Sequence, residues 1–143
     1  MSLPSQVRGW FVRRFSVSKS LGARGEDAAA RYLKRLGYRI VERHHDSPLG
    51  ELDIIAVDDR TVVFVEVKTR TSSDAGRPEE AIDATKQRRM TQAALAYLKA
   101  HRLLQNAARF DVVAVTWPKD ARQPTFEHFK NAFSPTGSGQ FFS

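Results

Sequence analysis

The strongest constraint on this chain is a pair of adjoining segments, Leu52-Asp53-Ile54-Ile55-Ala56-Val57 and Thr61-Val62-Val63-Phe64-Val65-Glu66-Val67-Lys68, with Asp58-Asp59-Arg60 between them. Two runs rich in β-branched and aromatic residues, separated by a polar turn signal, predict an antiparallel hairpin. A two-residue loop centred on Asp59-Arg60 sets Asp58 opposite Thr61. Carried along the strands, that register places Asp53 directly opposite Glu66. Strand residues two apart share a face, so Glu66 and Lys68 project together while Val65 and Val67 go to the other side. The same parity groups Glu51 with Asp53.

Opposed residues on one face have Cβ atoms about 4.5–5.5 Å apart. Two carboxylates at that spacing repel each other when nothing lies between them. A hard cation with oxygen ligands at roughly 2.0–2.6 Å turns the repulsion into chelation. Asp53 and Glu66 are therefore candidate ligands for Mg²⁺ or Mn²⁺, with Lys68 alongside. That is the equipment for metal-assisted phosphodiester hydrolysis. The plainer reading is a surface hairpin with ordinary charges on a wet face. Ile55 and Phe64 weigh against it, because they fall on the same face as the acids.

Charge points the same way. Lys plus Arg number 23 against 16 for Asp plus Glu, a formal net charge of +7. A cationic surface around an acidic cluster suits a polyanionic partner such as nucleic acid. The 143 residues fit one domain with a real core. The chain has no cysteine, which excludes disulfides, thiolate zinc sites and cysteine nucleophiles and fits a reducing, cytoplasmic setting. No apolar run approaches the roughly 18–20 residues that span a bilayer, so no membrane partner is expected.

Residues 1–20 carry Arg8, Arg13, Arg14 and Lys19, no acid, and the interleaved aromatics Trp10, Phe11 and Phe15. They read as a basic, flexible leader, with a nucleic-acid or membrane-surface arm and a transit peptide as the other readings. A domain over 21–130 and a flexible tail over 131–143 complete the expected division. The first helix is expected from Leu21 to Leu36, with Ala29, Leu33 and Leu36 as its apolar stripe and Gly37 just past its end. Glu26, taken alone, reads as a charge placed near the positive end of that helix. Tyr38 to His45 reads as a strand. His44 and His45 would point to opposite faces, so at most one reaches the site, as a loop-edge or substrate contact.

Beyond Lys68, a polar loop carries Arg70 and Arg77. A second helix is expected from Pro78, with Glu79 and Glu80 in its first turn, to about Arg102, with a break near Thr85. Lys86, Arg88 and Arg89 make its early part basic, and Lys86 and Arg88 are candidate phosphate contacts beside Arg70. Phe110 to Trp117 reads as a buried strand opened by a structural Asp111. Pro124 to Phe129 reads as a final edge strand. The order helix, three strands, helix, strand, strand predicts an α/β domain: an antiparallel meander, then a helical crossover to a parallel fourth strand.

These residues together resemble the PD-(D/E)XK nuclease superfamily, with its αβββαβ core, a mixed sheet flanked by helices. Within it, the chain is most similar to the YraN-like family, whose pattern is close to that of archaeal Holliday-junction resolvases. The motifs are Gly22-x-x-Gly25-Glu26, Gly50-Glu51-x-Asp53, Phe64-Val65-Glu66-Val67-Lys68-x-Arg70, Lys86 and Arg109-Phe110-Asp111-Val112-Val113. Two positions depart from the pattern: Leu52 stands where a proline commonly precedes the aspartate, and His45 where asparagine is common. The resemblance implies a restriction-endonuclease-like fold and an endonuclease acting on DNA, including branched or recombination and repair intermediates. It implies that Glu26 joins Asp53 and Glu66 at the metal, directly or through water, and that Lys68 orients the attacking water or stabilises phosphate charge. Glu51 is a secondary candidate. A junction substrate would require two sites, hence a homodimer. The competing expectations are a non-catalytic nucleic-acid-binding accessory protein that keeps the fold, and an interaction or assembly module for which the basic charge is incidental.

Overall fold

The structure, a computed structural model, describes residues 19–72 and 82–135. Its elements are α1 (Leu21–Arg35), β1 (Arg39–Ser47), β2 (Gly50–Asp58), β3 (Thr61–Arg70), α2 (Ala84–Ala100), β4 (Ala108–Thr116) and β5 (Thr125–Phe133). The five strands form one sheet in sequential order. β1, β2 and β3 form the antiparallel meander, β4 lies parallel to β3 across the α2 crossover, and β5 returns antiparallel to β4. This is the mixed α/β sheet expected from the order of elements, with β5 added to the αβββαβ core.

One helix covers each face, and alternation along the strands decides which residues it meets. Ala29 and Leu33 of α1 pack with Ile54, Val63, Val65, Val113 and Val115. Met90, Ala94, Tyr97 and Leu98 of α2 pack with Ile55, Val62, Phe64, Phe110 and Val112 on the opposite face. β3 and β4 supply both clusters, which is why their sequences are nearly continuous apolar runs.

Local chemistry sets the ends of the elements. Ser20 caps α1 through Ala23 N–H, and so belongs to the folded domain rather than to a leader. At the far end, Gly37 has φ +98, its N–H donates to Lys34 O, and Tyr38 N–H donates to Leu33 O. This is a Schellman closure that only a residue tolerant of positive φ makes cheaply. Leu36 is the C-cap and stands 50% exposed, so it does not belong to the buried stripe expected of it. Asp59, first of the two turn residues joining β2 to β3, has φ 55, as primed hairpin turns require.

α2 begins at Ala84, capped by the Asp83 carboxylate on Lys86 N–H, so the described helix opens beside the break expected near Thr85. The expected start at Pro78 with Glu79 and Glu80, and Arg77 of the preceding loop, lie outside the described residues, as do residues 1–18. β5 runs to Phe133, past the expected boundary at 130. Asn131 N–H donates to the buried Asp111 carboxylate, and Phe133 stacks on Phe110 at 4.6 Å between ring centroids, which holds the strand on the sheet.

Candidate active site

The carboxyl end of β3, the amino end of β2 and the first turns of both helices meet at one end of the sheet. The β2–β3 ladder pairs Asp58 with Thr61 and continues in unbroken register to Ile54 with Val65. The next step of that register sets Asp53 against Glu66. There the backbone ladder gives way to a side chain: Asp53 Oδ2 accepts the Val67 N–H at 2.9 Å. Alternation also fails at this point, since Leu52 packs in the α2-side cluster and Ile54 in the α1-side cluster. Asp53 is thus held where β2 peels from β3, with its carboxylate turned to the gap.

Glu66 is 3% exposed inside an apolar strand. Its Oε2 lies 2.7 Å from Lys86 Nζ of α2 and 3.5 Å from Lys68 Nζ. Those two ammonium groups offset what an unpaired buried carboxylate would cost. Burial, then the charge of Glu66, push the Asp53 carboxyl well above the ordinary carboxylate range, against the opposing pull of the Val67 N–H; Glu26 adds to the rise.

Glu26 reaches the same end of the sheet from α1, and a glycine makes the approach possible. A Cβ on Gly25 would stand 1.9 Å from Thr69 Oγ1 and 2.7 Å from Thr69 Cγ2. Only a residue without a side chain lets α1 sit this close to β3, and the residue that follows is Glu26. Its Oε1 is buried without a hydrogen-bond partner, 3.2 Å from His44 Nδ1. Burial raises the Glu26 carboxyl, His44 pulls it down, and Glu51 and Glu66 push it further up. Glu26 is therefore a member of the acidic cluster rather than a helix-end charge.

His44 is the one of the two histidines that reaches the site, and its place between two acids is what sequence reasoning did not show. Its backbone has φ 53, a left-handed conformation uncommon outside glycine, though histidine adopts it more often than most residues. It lies between the Glu26 carboxylate at 3.2 Å and the Glu51 carboxylate at 3.6 Å. His45 points the other way, edge-on to Tyr97, so the expected split of the two histidines holds. The available signal was the histidine pair itself, one turn of chain before Gly50. Glu51 touches the cluster through His44 and stands half exposed. Of the candidate phosphate contacts, Lys86 is at the cluster. Arg70 Nε donates to Thr116 Oγ1 at the end of β4, and Arg88 is exposed on α2 with Thr85 as hydrogen-bond partner.

The donor set is all carboxylate oxygen, which fits a hard divalent cation. The orphaned Glu26 oxygen and the Asp53 carboxyl, crowded by Glu66, are both groups a cation would satisfy. Among the described residues no trio of His, Asp or Glu already stands in metal-holding geometry. In its place, the Lys86 and Lys68 ammonium groups neutralise Glu66.

A mixed five-stranded sheet with a helix on each face, and acids gathered where meander and crossover meet, places the molecule among restriction-endonuclease-like α/β proteins. Residues 25–115 match the model of "Uncharacterised protein family UPF0102". A UPF0102 protein of Rhodopirellula baltica is 43% identical over 144 residues, covering 96% of this chain and 86% of that protein. A second, from Geobacter sulfurreducens, is 50% identical over 117 residues, with 81% and 90% covered. A third, from Geobacter metallireducens, is 47% identical over 116 residues, with 81% and 93% covered. The chain belongs to the UPF0102 (YraN) family. Among the described residues no helix is long and apolar enough to cross a membrane.

Proposed function

We propose that this chain is a metal-dependent endonuclease that hydrolyses phosphodiester bonds in DNA, with branched recombination or repair intermediates among its substrates. The observation that carries the reading is the meeting of Asp53 and the buried Glu66 where β2 leaves the ladder, with Lys68 and Lys86 beside them. Asp53 and Glu66 would hold Mg²⁺ or Mn²⁺, with Glu26 joining from α1. The bound cation would supply Lewis-acid polarisation of the scissile phosphate. Lys68, on the same strand face as Glu66, orients the attacking water or balances charge developing on the phosphate. Lys86 and Arg88 on α2 and Arg70 at the end of β3 offer cations to the flanking backbone. Glu51 and His44 border the cluster, and His44 pairs with Glu26.

A second reading, a non-catalytic nucleic-acid-binding accessory protein, is favoured by one observation: Glu66 is already neutralised by two lysines. Cleavage assays on single-stranded, duplex, flapped and four-way DNA, and on matching RNA, separate the two. The nuclease reading expects cutting in Mg²⁺ or Mn²⁺, none in chelator, and none by Asp53→Ala. Binding without cutting under every condition supports the accessory reading.

A further inference from the structure

One ionic contact at this end of the sheet joins two elements rather than two neighbours on one strand. Lys86 Nζ reaches from the first turn of α2 to Glu66 Oε2 on β3, at 2.7 Å. The partners differ in freedom. Glu66 is buried in the strand, whereas the Lys86 side chain is 42% exposed. The backbone of Lys86 is anchored, because its N–H donates to the Asp83 cap at 2.8 Å. Its stem has four rotatable bonds, so the ammonium can leave without moving the helix. A divalent cation shared by Asp53 and Glu66 would place two further positive charges beside that ammonium. Glu66 Oε2 cannot serve both well, since like charges at such range repel strongly in a partly buried setting.

We propose that Lys86 is a substrate-phosphate ligand held in reserve on Glu66. Without a cation it neutralises the buried carboxylate. When a divalent cation takes that place, the ammonium is released to a backbone phosphate of the nucleic acid. This rests on the metal-dependent nuclease reading. It makes Lys86 a competitor of the metal in the free protein and a partner of the metal in the complex. Metal and nucleic acid then strengthen each other's binding through one side chain, and by the same factor in both directions. A protein without nucleic acid is kept poor in metal, which restrains idle hydrolysis.

Lys86→Met removes the charge and keeps the stem. In the full chain, titrated with Mn²⁺ alone and followed by the electron paramagnetic signal of the free ion, Lys86→Met should bind Mn²⁺ roughly three- to tenfold tighter than wild type. In saturating Mn²⁺ it should bind a labelled DNA duplex more weakly, with a log affinity–log salt slope shallower by about 0.9. Lys99→Met, a charge loss in the last turn of the same helix, should leave Mn²⁺ affinity within about twofold of wild type. Lys86→Arg should restore the wild-type pattern, and circular dichroism checks that each variant is folded. Equal or weaker Mn²⁺ binding by Lys86→Met overturns the proposal, and so does an unchanged salt slope. If wild type takes up no Mn²⁺ that Asp53→Asn removes, the nuclease reading has failed and takes this proposal with it. That outcome is seen before any Lys86 variant is compared.

Discussion

Replacing Asp53 by Asn should stabilise the metal-free protein near pH 8, although it removes a residue central to the site. The reason is the electrostatics of the β2–β3 gap. The Asp53 carboxyl accepts the Val67 N–H and faces the buried Glu66. Burial and the Glu66 charge raise its pKa in the folded state. A carboxyl raised on folding favours the native state at low pH, where it is protonated in both states. That contribution is lost as pH climbs from about 4, where a free carboxyl titrates, through the folded value. Two full charges about 5 Å apart at an effective dielectric near 20 repel by roughly 3 kcal/mol. Lys86 and Lys68 already offset part of this by pairing with Glu66. Asn keeps an oxygen for Val67 N–H and turns an amide donor toward Glu66. The expected gain is therefore about 1–3 kcal/mol at pH 8, falling toward zero near pH 4. Urea unfolding of wild type and variant across pH 4–9, in chelator, reads the difference directly. A loss of stability at pH 8, or a difference that does not change with pH, refutes the reasoning.

Other perturbations test the remaining parts of the structure. Gly25→Ala drives a Cβ into Thr69 and should cost about 1–3 kcal/mol in thermal or denaturant unfolding; Thr69→Ala in the same chain removes two of the three crowding atoms and should recover part of it. Asp111 is fully buried and bound by Arg109, His128 and Asn131 N–H, so Asp111→Ala, which strands those donors, should cost about 3–5 kcal/mol. Burial pushes the Asp111 carboxyl up, but hydrogen bonds from His128 and Arg109 outweigh it and hold the carboxyl below its ordinary value. Its stabilising effect is therefore present above the ordinary carboxylate range and lost as pH falls through the folded value; Asp111→Asn should flatten the acid limb of the stability profile. Lys68→Ala should abolish cleavage while leaving circular dichroism and most DNA affinity in place, and cleavage at the wild-type rate would remove Lys68 from the mechanism.

What the sequence disclosed follows the range over which its signals act. The hairpin register was legible because Asp58-Asp59-Arg60 forms a tight turn, and a turn fixes every pair above it. Gly37 was legible because a helix end leaves carbonyls that a positive-φ residue closes locally. Asp111 showed itself as an acid in an apolar strand. The rest depends on contacts between distant segments. The approach of Glu26 requires Gly25 to meet Thr69, 44 positions later, and no local pattern reports it. The place of His44 depends on a left-handed backbone that breaks strand alternation. The pairing of Lys86 with Glu66 needs the crossover to set the first turn of α2 over the end of β3. The Asp83 cap that opens α2 went unread, because Pro78-Glu79-Glu80 drew attention as the stronger helix-opening signal.

The central claim is that Asp53 and Glu66 share one divalent cation. The most direct measurement is anomalous diffraction from crystals of the full chain soaked in Mn²⁺, alongside Asp53→Asn crystals treated identically. The account predicts a single strong peak roughly 2.0–2.6 Å from an oxygen of each carboxylate, with the Lys86 ammonium moved off Glu66, and no such peak in the variant. Manganese bound elsewhere, or a Glu66 still paired to Lys86 at saturating metal, would contradict it.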